Sequence, residues 1–212
     1  MFKALFDPES PFGRGMEKVW QLIILNVLWL VCSLPIVTLG AASTALHAVL
    51  FELLRGEEVR IVRRFFAAFR ENWKRATVAW LVLLAAIALC LFDWRFATLM
   101  ESFLWKLVAV AGFQIVGLMC TFLFALLARY ENTARNHLRN ALLLGVGNLP
   151  RLLLVWLVWS GPVLLTIWSA ETLHFMILLW LMVGYSGLSL AALRILQPVF
   201  DRLDGGNQKE GE

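Results

Sequence analysis

The sequence predicts an all-α fold, a polytopic bundle of transmembrane helices, and three observations predict it. Hydrophobic residues make up 60% of the 212 residues, whereas soluble domains contain about 45–50% even with glycine counted. The mean hydropathy is +0.75. The apolar residues are also contiguous, which is typical of bilayer spans. In the strands and helices of a soluble core, apolar residues alternate with polar ones. Each run must be helical, since lipid offers no partner to an unpaired backbone amide.

Four runs without Asp, Glu, Lys or Arg are long enough, or nearly so, to cross a bilayer, which takes about 20 residues. They cover residues 76–92, 107–128, 152–170 and 172–193. A fifth apolar stretch, residues 19–51, is longer still. The chain ends in a polar C-terminal tail, residues 201–212. We therefore expect a single membrane domain over residues 1–212, with five spans if the long stretch crosses once.

The long stretch either crosses the membrane once or turns back as a hairpin. Pro35 removes a helix hydrogen bond and biases Leu34 away from helical geometry, and Gly40 tolerates irregular backbone. A hairpin places 17 basic residues inside and two outside, against 14 and five for a single crossing. Because Lys and Arg concentrate on the cytoplasmic side, charge favours the hairpin, with six helical arms and both termini in the cytoplasm.

Each arm of this hairpin is short for a full span. About 16 residues at 1.5 Å per residue reach about 24 Å, which is less than a hydrocarbon core of about 30 Å. We therefore expect a re-entrant or thinned pair. A single long helix kinked at Pro35 is the alternative.

A segment rich in aromatic and basic residues precedes the run at residues 76–92. Its apolar positions recur at helical spacing opposite a basic face, which is typical of a helix that lies in the headgroup layer. Residues 57–75 are predicted to form such a helix; a partner-docking surface and a simple packing helix are the alternatives. Its apolar positions are Val62, Phe65, Phe66, Phe69 and Trp73, and its cations, the candidate lipid- or partner-binding residues, are Arg60, Arg63, Arg64, Arg70, Lys74 and Arg75.

Polar residues inside the first stretch define a candidate polar seam. Asn26 and Ser33 share a helix face, and so do Gly40, Thr44 and His47 after the break. The first interpretation is structural, with hydrogen bonds between helices and close approach at small residues. The alternative is a ligand or ion path in which His47 titrates near neutral pH. The seam and the helix break together comprise Asn26, Ser33, Pro35, Thr38, Gly40, Thr44 and His47.

A weak internal repeat accompanies the seam. An offset of 76 residues aligns Asn72 with Asn148 and Trp80 with Trp156, among other positions. The repeated unit would consist of a helix, a basic segment and a transmembrane hairpin, and the chain would contain it twice in the same orientation. Transporter folds often contain internal repeats of this kind. The match is short, so the duplication is a hypothesis.

Catalytic, cofactor and metal signatures are absent from the sequence. It contains no HExxH, GxSxG or phosphate-binding loop and no paired carboxylates at useful spacing. Cys32, Cys90 and Cys120 lie in apolar runs without paired spacing, as small packing groups do. The isoelectric point is about 9.3, but the cations cluster beside spans, where anionic lipid rather than nucleic acid is the expected partner. We expect no cofactor, no metal ion and no enzymatic activity.

Three motifs within roughly the first 95 residues carry a family resemblance. They are DPESPFGRGMEKVW at 7–20, SLPIVTLGAASTAL at 33–46 with Asn26 and Trp29 before it, and FFAAFRENWKRA at 65–76. These motifs resemble the YesL family of uncharacterised bacterial integral membrane proteins, a domain of unknown function. The resemblance implies a multi-pass protein of the bacterial cell membrane whose relatives often neighbour genes for carbohydrate ABC transport. It implies no established activity.

The resemblance and the lack of catalytic groups together favour a non-enzymatic membrane protein that is accessory or regulatory to carbohydrate uptake. Its expected partners are the lipid bilayer and either an ABC transporter permease or a second copy of the chain. The alternative is a small transporter or permease that moves a solute along the seam near Asn26 and His47.

Overall fold

The computed structural model describes residues 11–209, and helices contain nearly all of them. A 3-10 turn, Ile36–Thr38, precedes the second helix, and a π turn, Trp180–Gly184, joins the last two. In this part of the chain six helical stretches are long and apolar enough to cross a membrane. The predicted multi-pass helical bundle is therefore confirmed. The helices are α1 (Pro11–Ser33), α2 (Leu39–Leu54), α3 (Ile61–Leu99), α4 (Phe103–Arg129), α5 (Ala134–Gly147), α6 (Leu149–Trp168), α7 (Ala170–Leu179) and α8 (Tyr185–Lys209).

Helix α2 lies at the centre of the bundle. Every residue from Gly40 to Phe51 is buried, because α1, α3, α4 and α8 all pack against it. A helix that is apolar on all sides is expected to be surrounded in this way. Ala41, Ala42 and Ala45 are fully buried, and such small side chains let the neighbouring helices come close.

Helices α1 and α2 form the hairpin that the distribution of Lys and Arg residues favoured. The Trp29 indole N–H donates to Ser43 Oγ at 3.0 Å, with Trp29 near the end of α1 and Ser43 near the start of α2. A continuous helix would separate these residues by about 21 Å. Thr38 closes the turn, since its hydroxyl donates to the Cys32 carbonyl at 2.7 Å and to the Pro35 carbonyl at 2.8 Å.

Helix α3 combines the basic segment, predicted at residues 57–75, with the apolar run at residues 76–92, which the sequence analysis treated as separate elements. It runs for 39 residues, which is about 58 Å at 1.5 Å per residue and nearly twice a hydrocarbon core of about 30 Å. Residues 61–99 contain neither Gly nor Pro, so nothing in them breaks the helix. The basic segment predicted to lie in the headgroup layer forms the first part of this continuous helix, and α2 packs along it. Its place relative to the headgroups stays a prediction.

The α1–α2 hairpin stops well short of the tip between α3 and α4. The Trp80 indole N–H donates to the Ile36 carbonyl at 2.8 Å, which places the hairpin turn beside the middle of α3. About 28 Å of α3 continues beyond that point at 1.5 Å per residue. The hairpin turn therefore lies alongside α3, and the re-entrant or thinned pair stays a prediction.

The C-terminal segment is helical where a polar tail was predicted. Helix α8 continues through Lys209, and the residues after it lie outside the described part. Asp204 accepts a hydrogen bond from the Tyr130 hydroxyl at 2.7 Å and forms an ion pair with Arg129. Burial and this bond raise the pKa of Tyr130. Asp204 therefore helps to hold α8 against the end of α4.

The structure contains matching local contacts at the two halves of the proposed repeat. Thr44 donates to the Gly40 carbonyl at 2.8 Å, and Thr121 donates to the Gly117 carbonyl at 2.9 Å. Each of these glycines faces a tryptophan of the aligned pair. Each aligned asparagine donates to the carbonyl four residues before it. The glycine and threonine pairs are 77 residues apart, one residue out of the 76-residue register of the asparagine and tryptophan pairs, so the duplication stays a hypothesis. The contact residues are Gly40, Thr44, Asn72 and Trp80 in one half and Gly117, Thr121, Asn148 and Trp156 in the other.

Candidate functional site

Asn26 of the predicted seam is bound to the backbone of the π turn. Its carboxamide N–H₂ donates to the Trp180 and Leu181 carbonyls, both at 2.9 Å, and its carbonyl accepts from the Ser186 N–H at 3.0 Å. A π turn interrupts the regular helical hydrogen bonds, and lipid offers no replacement partners. Asn26, which is fully buried, supplies them. The structural interpretation of this residue therefore fits the geometry.

The other seam residues of α1 and the turn bond within their own segment. The Ser33 hydroxyl donates to the Trp29 carbonyl at 2.5 Å, one turn earlier in α1. Pro35 lies in the connection and Thr38 closes it. None of these residues lines the cavity described below, so the structure does not join them to His47 as one path.

Gly40 marks the closest approach of α2 to α3. A Cβ atom there would overlap the Cβ of Trp80 and would lie 2.7 Å from the Ala76 carbonyl oxygen. Thr44, one turn later, is fully buried and donates to the Gly40 carbonyl. Both residues serve the packing of α2, as small residues do at helix interfaces in membranes.

His47 lies beside a cavity in the interior of the bundle. Its Nδ1 is 2.8 Å from the Ser43 carbonyl oxygen, and because a carbonyl oxygen only accepts, Nδ1 carries the proton in this bond. Nε2 of the neutral ring is then an acceptor. Helices α2, α4, α6 and α8 enclose a cavity of about 260 Å³, lined by aromatic and small polar residues. His47 is the one seam residue placed to meet a ligand there. The lining residues are His47, Cys120, Thr121, Phe124, Val155, Trp156, Trp159, Tyr185, Ser189 and Ala192.

Ser43 is a central polar residue that the sequence analysis missed. Its hydroxyl accepts from the Trp29 indole and from the Tyr185 hydroxyl at 3.1 Å. The Trp29 and Tyr185 rings stack at 3.8 Å with 7° between their planes. Three helices thus meet at one small side chain. Ser43 lies between Gly40 and Thr44 in the sequence, but its partners are far away along the chain, so spacing gave no signal.

The six cations predicted to bind lipid or a partner in residues 57–75 have different environments. Arg64 bonds to Glu52 at 2.5 Å, and Arg75 is half-buried near His137. The other four cations are exposed, and no ion pair involves them among the residues that the structure describes. The Lys74 ammonium group lies 5.9 Å from the centre of the Trp73 ring. The exposed cations are Arg60, Arg63, Arg70 and Lys74.

The exposed cations of α3 alternate with exposed aromatic residues. Residues 63, 66, 70 and 73 follow one another at helical spacing on the side opposite the buried Phe65, Ala68 and Asn72. The predicted apolar stripe is therefore divided, because Phe65 packs inward while Phe66 and Trp73 stay 41% and 49% exposed. We call the exposed set Arg63, Phe66, Arg70, Trp73 and Lys74 the basic stripe.

Among residues 11–209, no group of three or more His, Cys, Asp or Glu side chains is placed to hold a metal ion. Cys32, Cys90 and Cys120 are free thiols.

Residues 22–94 match a family described as "Protein of unknown function, DUF624". We found no match among curated proteins and none among solved structures. The matched segment covers α2, the second half of α1 and most of α3, with the seam, the helix break and the basic stripe. It contains the last two of the three motifs that carry the resemblance. The match is to the family of unknown function that YesL-type membrane proteins carry, and it confirms the resemblance over residues 22–94.

Proposed function

We propose that this protein is a non-enzymatic accessory or regulatory protein of carbohydrate uptake in the bacterial cell membrane, which binds a permease of the ABC type through its basic stripe. The observation that carries the proposal is the stripe itself, in which cations and aromatic rings stay exposed along α3. Arg and aromatic residues are enriched in protein interfaces. The role in carbohydrate uptake is inferred from the family resemblance, because the genes of YesL relatives often lie next to genes for carbohydrate transport.

The place of the stripe on α3 suits contact with cytoplasmic loops of a permease. Residues 76–92 are free of charge, so the bilayer is expected to surround that part of α3. The stripe comes just before it, on the side where the positive-inside rule puts most of the basic residues. A partner surface with acidic residues and an apolar groove would complement it. Anionic lipid headgroups are the competing ligand of the same chemistry.

Replacing Arg63, Arg70 and Lys74 together by glutamine tests the proposal. We expect permease subunits to co-purify with the wild-type protein from native membranes and to be depleted at least about tenfold with the triple variant, because rim charges of interfaces act together in docking. Quantitative mass spectrometry of the purified complex measures this depletion.

Arg194→Gln with Arg202→Gln provides the matched control, because both are exposed cations on α8. This control is expected to keep the permease subunits. Wild-type preparations without any enriched permease subunit contradict the proposal. If the triple variant only loses affinity for vesicles of anionic lipid while permease recovery is unchanged, the stripe is a lipid-binding surface instead.

The cavity at His47 favours a second candidate function, a small transporter or permease. A half-open cavity with aromatic walls and a few polar groups is typical of a small-molecule site. Repeated units with a site near the middle of the bundle are typical of transporters, and the hypothesis of an internal duplication fits that pattern. Asn26 has no part in this candidate, because the π turn occupies its carboxamide.

Liposomes that contain the purified protein alone test this second candidate. Oligosaccharide flux into them is expected if the cavity is a transport site, and His47→Ala is expected to abolish it. Asn26→Ala should leave flux at the wild-type level in the molecules that remain folded. Absence of flux with a panel of labelled oligosaccharides excludes the transporter.

A further inference from the structure

A second cavity lies at the end of the bundle where α4, α5 and α8 meet. Its volume is about 450 Å³. It comes after the last turn of α4, near the Arg129–Asp204 ion pair, and no seam or stripe residue lines it. Apolar side chains form part of its wall and polar ones form the rest. The lining residues are Leu126, Tyr130, Glu131, Asn132, His137, Asn140, Leu143, Leu144 and Leu203.

His137 is the buried polar group of this cavity. The residue is 1% exposed, and neither of its ring nitrogens has a hydrogen-bond partner among residues 11–209. Buried polar groups in proteins nearly always have a partner, and those without one call for a functional explanation. Both nitrogens are themselves buried, so a ligand in the cavity would bond to one of them after the ring turns toward it.

Other polar groups of the wall also keep hydrogen-bonding capacity. The side-chain oxygen of Asn132 accepts from the Thr133 N–H and from the Asn136 side chain, both at 2.8 Å. The side-chain N–H₂ group of Asn132 therefore remains as a donor. Glu131 and the Asn140 carboxamide make no side-chain hydrogen bond within the described part. The wall therefore offers donors and acceptors side by side.

The same wall is unsuited to ions. No Lys or Arg side chain is among the residues that line the cavity, and the Glu131 carboxylate repels anions. A metal site is not favoured, because the described residues contain no cluster of metal-ligating groups. Hydroxyl groups both donate and accept, so they match a wall of carboxamides, a carboxylate and an imidazole. We propose that this cavity binds a neutral small molecule with several hydroxyl groups, a polyol or a sugar, with His137 hydrogen-bonded to one hydroxyl.

The protonation state of His137 suits this ligand. Burial, and next the charge of Arg75, lower the pKa of His137 below its ordinary value of 6.5. The ring is thus neutral at pH 7, with one nitrogen as donor and the other as acceptor, and a single hydroxyl can pair with either. The inference does not rest on the proposed permease partner, and the experiment uses the purified protein alone.

Nuclear magnetic resonance of ring-labelled histidine tests the inference. The chain has three histidines, and the signals of the purified full chain in an amine-oxide detergent are assigned with single variants. Glycerol, D-glucose and maltose are added as probes, and inorganic phosphate is added separately. We expect saturable shifts of the His137 signals with at least one hydroxylated probe. We expect His137→Leu, followed through the tryptophan fluorescence, to weaken that binding about tenfold or more, as expected for loss of a hydrogen bond to a buried group.

Two further variants make the result decisive. Asn140→Ala changes an exposed residue and is expected to weaken binding without affecting folding. His174→Leu, at an exposed position on α7, should bind like the wild type. The inference is overturned if no hydroxylated probe gives a saturable response, if the response survives in both cavity variants, or if inorganic phosphate alone shifts the His137 signals. Loss of permease co-purification in the stripe variant has no bearing on these outcomes.

Discussion

Asn26 and His137 show how differently two buried polar residues can be placed in one helical bundle. Every hydrogen-bonding group of the Asn26 carboxamide faces the backbone of the π turn. The His137 ring has no protein partner in the described part and lines a cavity instead. Asn26 has protein partners for its hydrogen-bonding groups and holds two helices together, whereas the His137 ring has none in the described part and is available to a ligand.

Substitution of Asn26 by leucine is expected to destabilise the protein by about 1–3 kcal/mol, because two carbonyls of the π turn and the N–H of Ser186 in α8 lose their partner in a place without water. The midpoint of unfolding in mixed detergent micelles measures the change. Ser33→Ala is the matched control, since the Ser33 hydroxyl only donates to a carbonyl of its own helix. Equal stability of the two variants would contradict the structural role of Asn26.

Helix α2 shows how a single element organises its neighbours. Its residues from Gly40 to Phe51 are all buried, and the missing side chain of Gly40 sets the distance to α3. At its other end, Glu52 bonds to Arg64 of the same neighbour. Helix α3 is thereby fixed along α2 at both ends of the contact, and its basic first part and its apolar run form one continuous helix.

Alanine at Gly40 is expected to destabilise the protein by about 1–3 kcal/mol, because its Cβ meets the backbone and Cβ of α3, which cannot move aside as a flexible side chain would. Gly161→Ala in α6 is the control: nothing lies within 4 Å of a Cβ there, and alanine favours a helix over glycine by about 0.5–1 kcal/mol. Thermal unfolding of both variants in detergent measures the difference. An unchanged midpoint for Gly40→Ala would show that α2 and α3 are not in close contact.

The whole molecule is asymmetric along the membrane normal. The tip between α3 and α4 lies about 28 Å of helix beyond the turn of the α1–α2 hairpin at 1.5 Å per residue. The basic stripe and the His137 cavity lie toward the opposite end, with the ion pair between Arg129 and Asp204. The charge balance predicts that this end lies in the cytoplasm. Both proposed interaction sites, for a partner and for a hydroxylated ligand, would then face the cell interior.

Cysteine accessibility in intact cells tests this orientation. In a chain with the three native cysteines replaced by alanine, we expect Ser10→Cys to be protected from a membrane-impermeant maleimide and Met100→Cys, at the exposed end of α3, to be labelled. The reason is that 17 of the 19 basic residues fall on the N-terminal side of the membrane in a hairpin topology, and basic residues concentrate on the cytoplasmic side. Permeabilised cells provide the control, where both positions should react. Labelling of Ser10→Cys in intact cells would reverse the orientation.

The sequence by itself determined the class of the protein, its spans and the break at Pro35, because these depend on local composition, on the charges beside apolar runs and on backbone chemistry. It also singled out Asn26, Gly40 and His47. Only the tertiary structure decided what each of them does, since their partners at Trp180, at Trp80 and around the interior cavity are distant in the chain.

The predicted multi-pass bundle holds, whereas its finer elements depended on packing. Continuity of α3 could not be read from the sequence, because hydrophobic periodicity changes at residue 76 while the helix does not. The π turn and the unpartnered ring of His137 left no sequence signal, for both arise from how helices meet. Local chemistry therefore fixed which segments enter the membrane, and helix contacts decided which polar residues hold the bundle together and which remain available to bind.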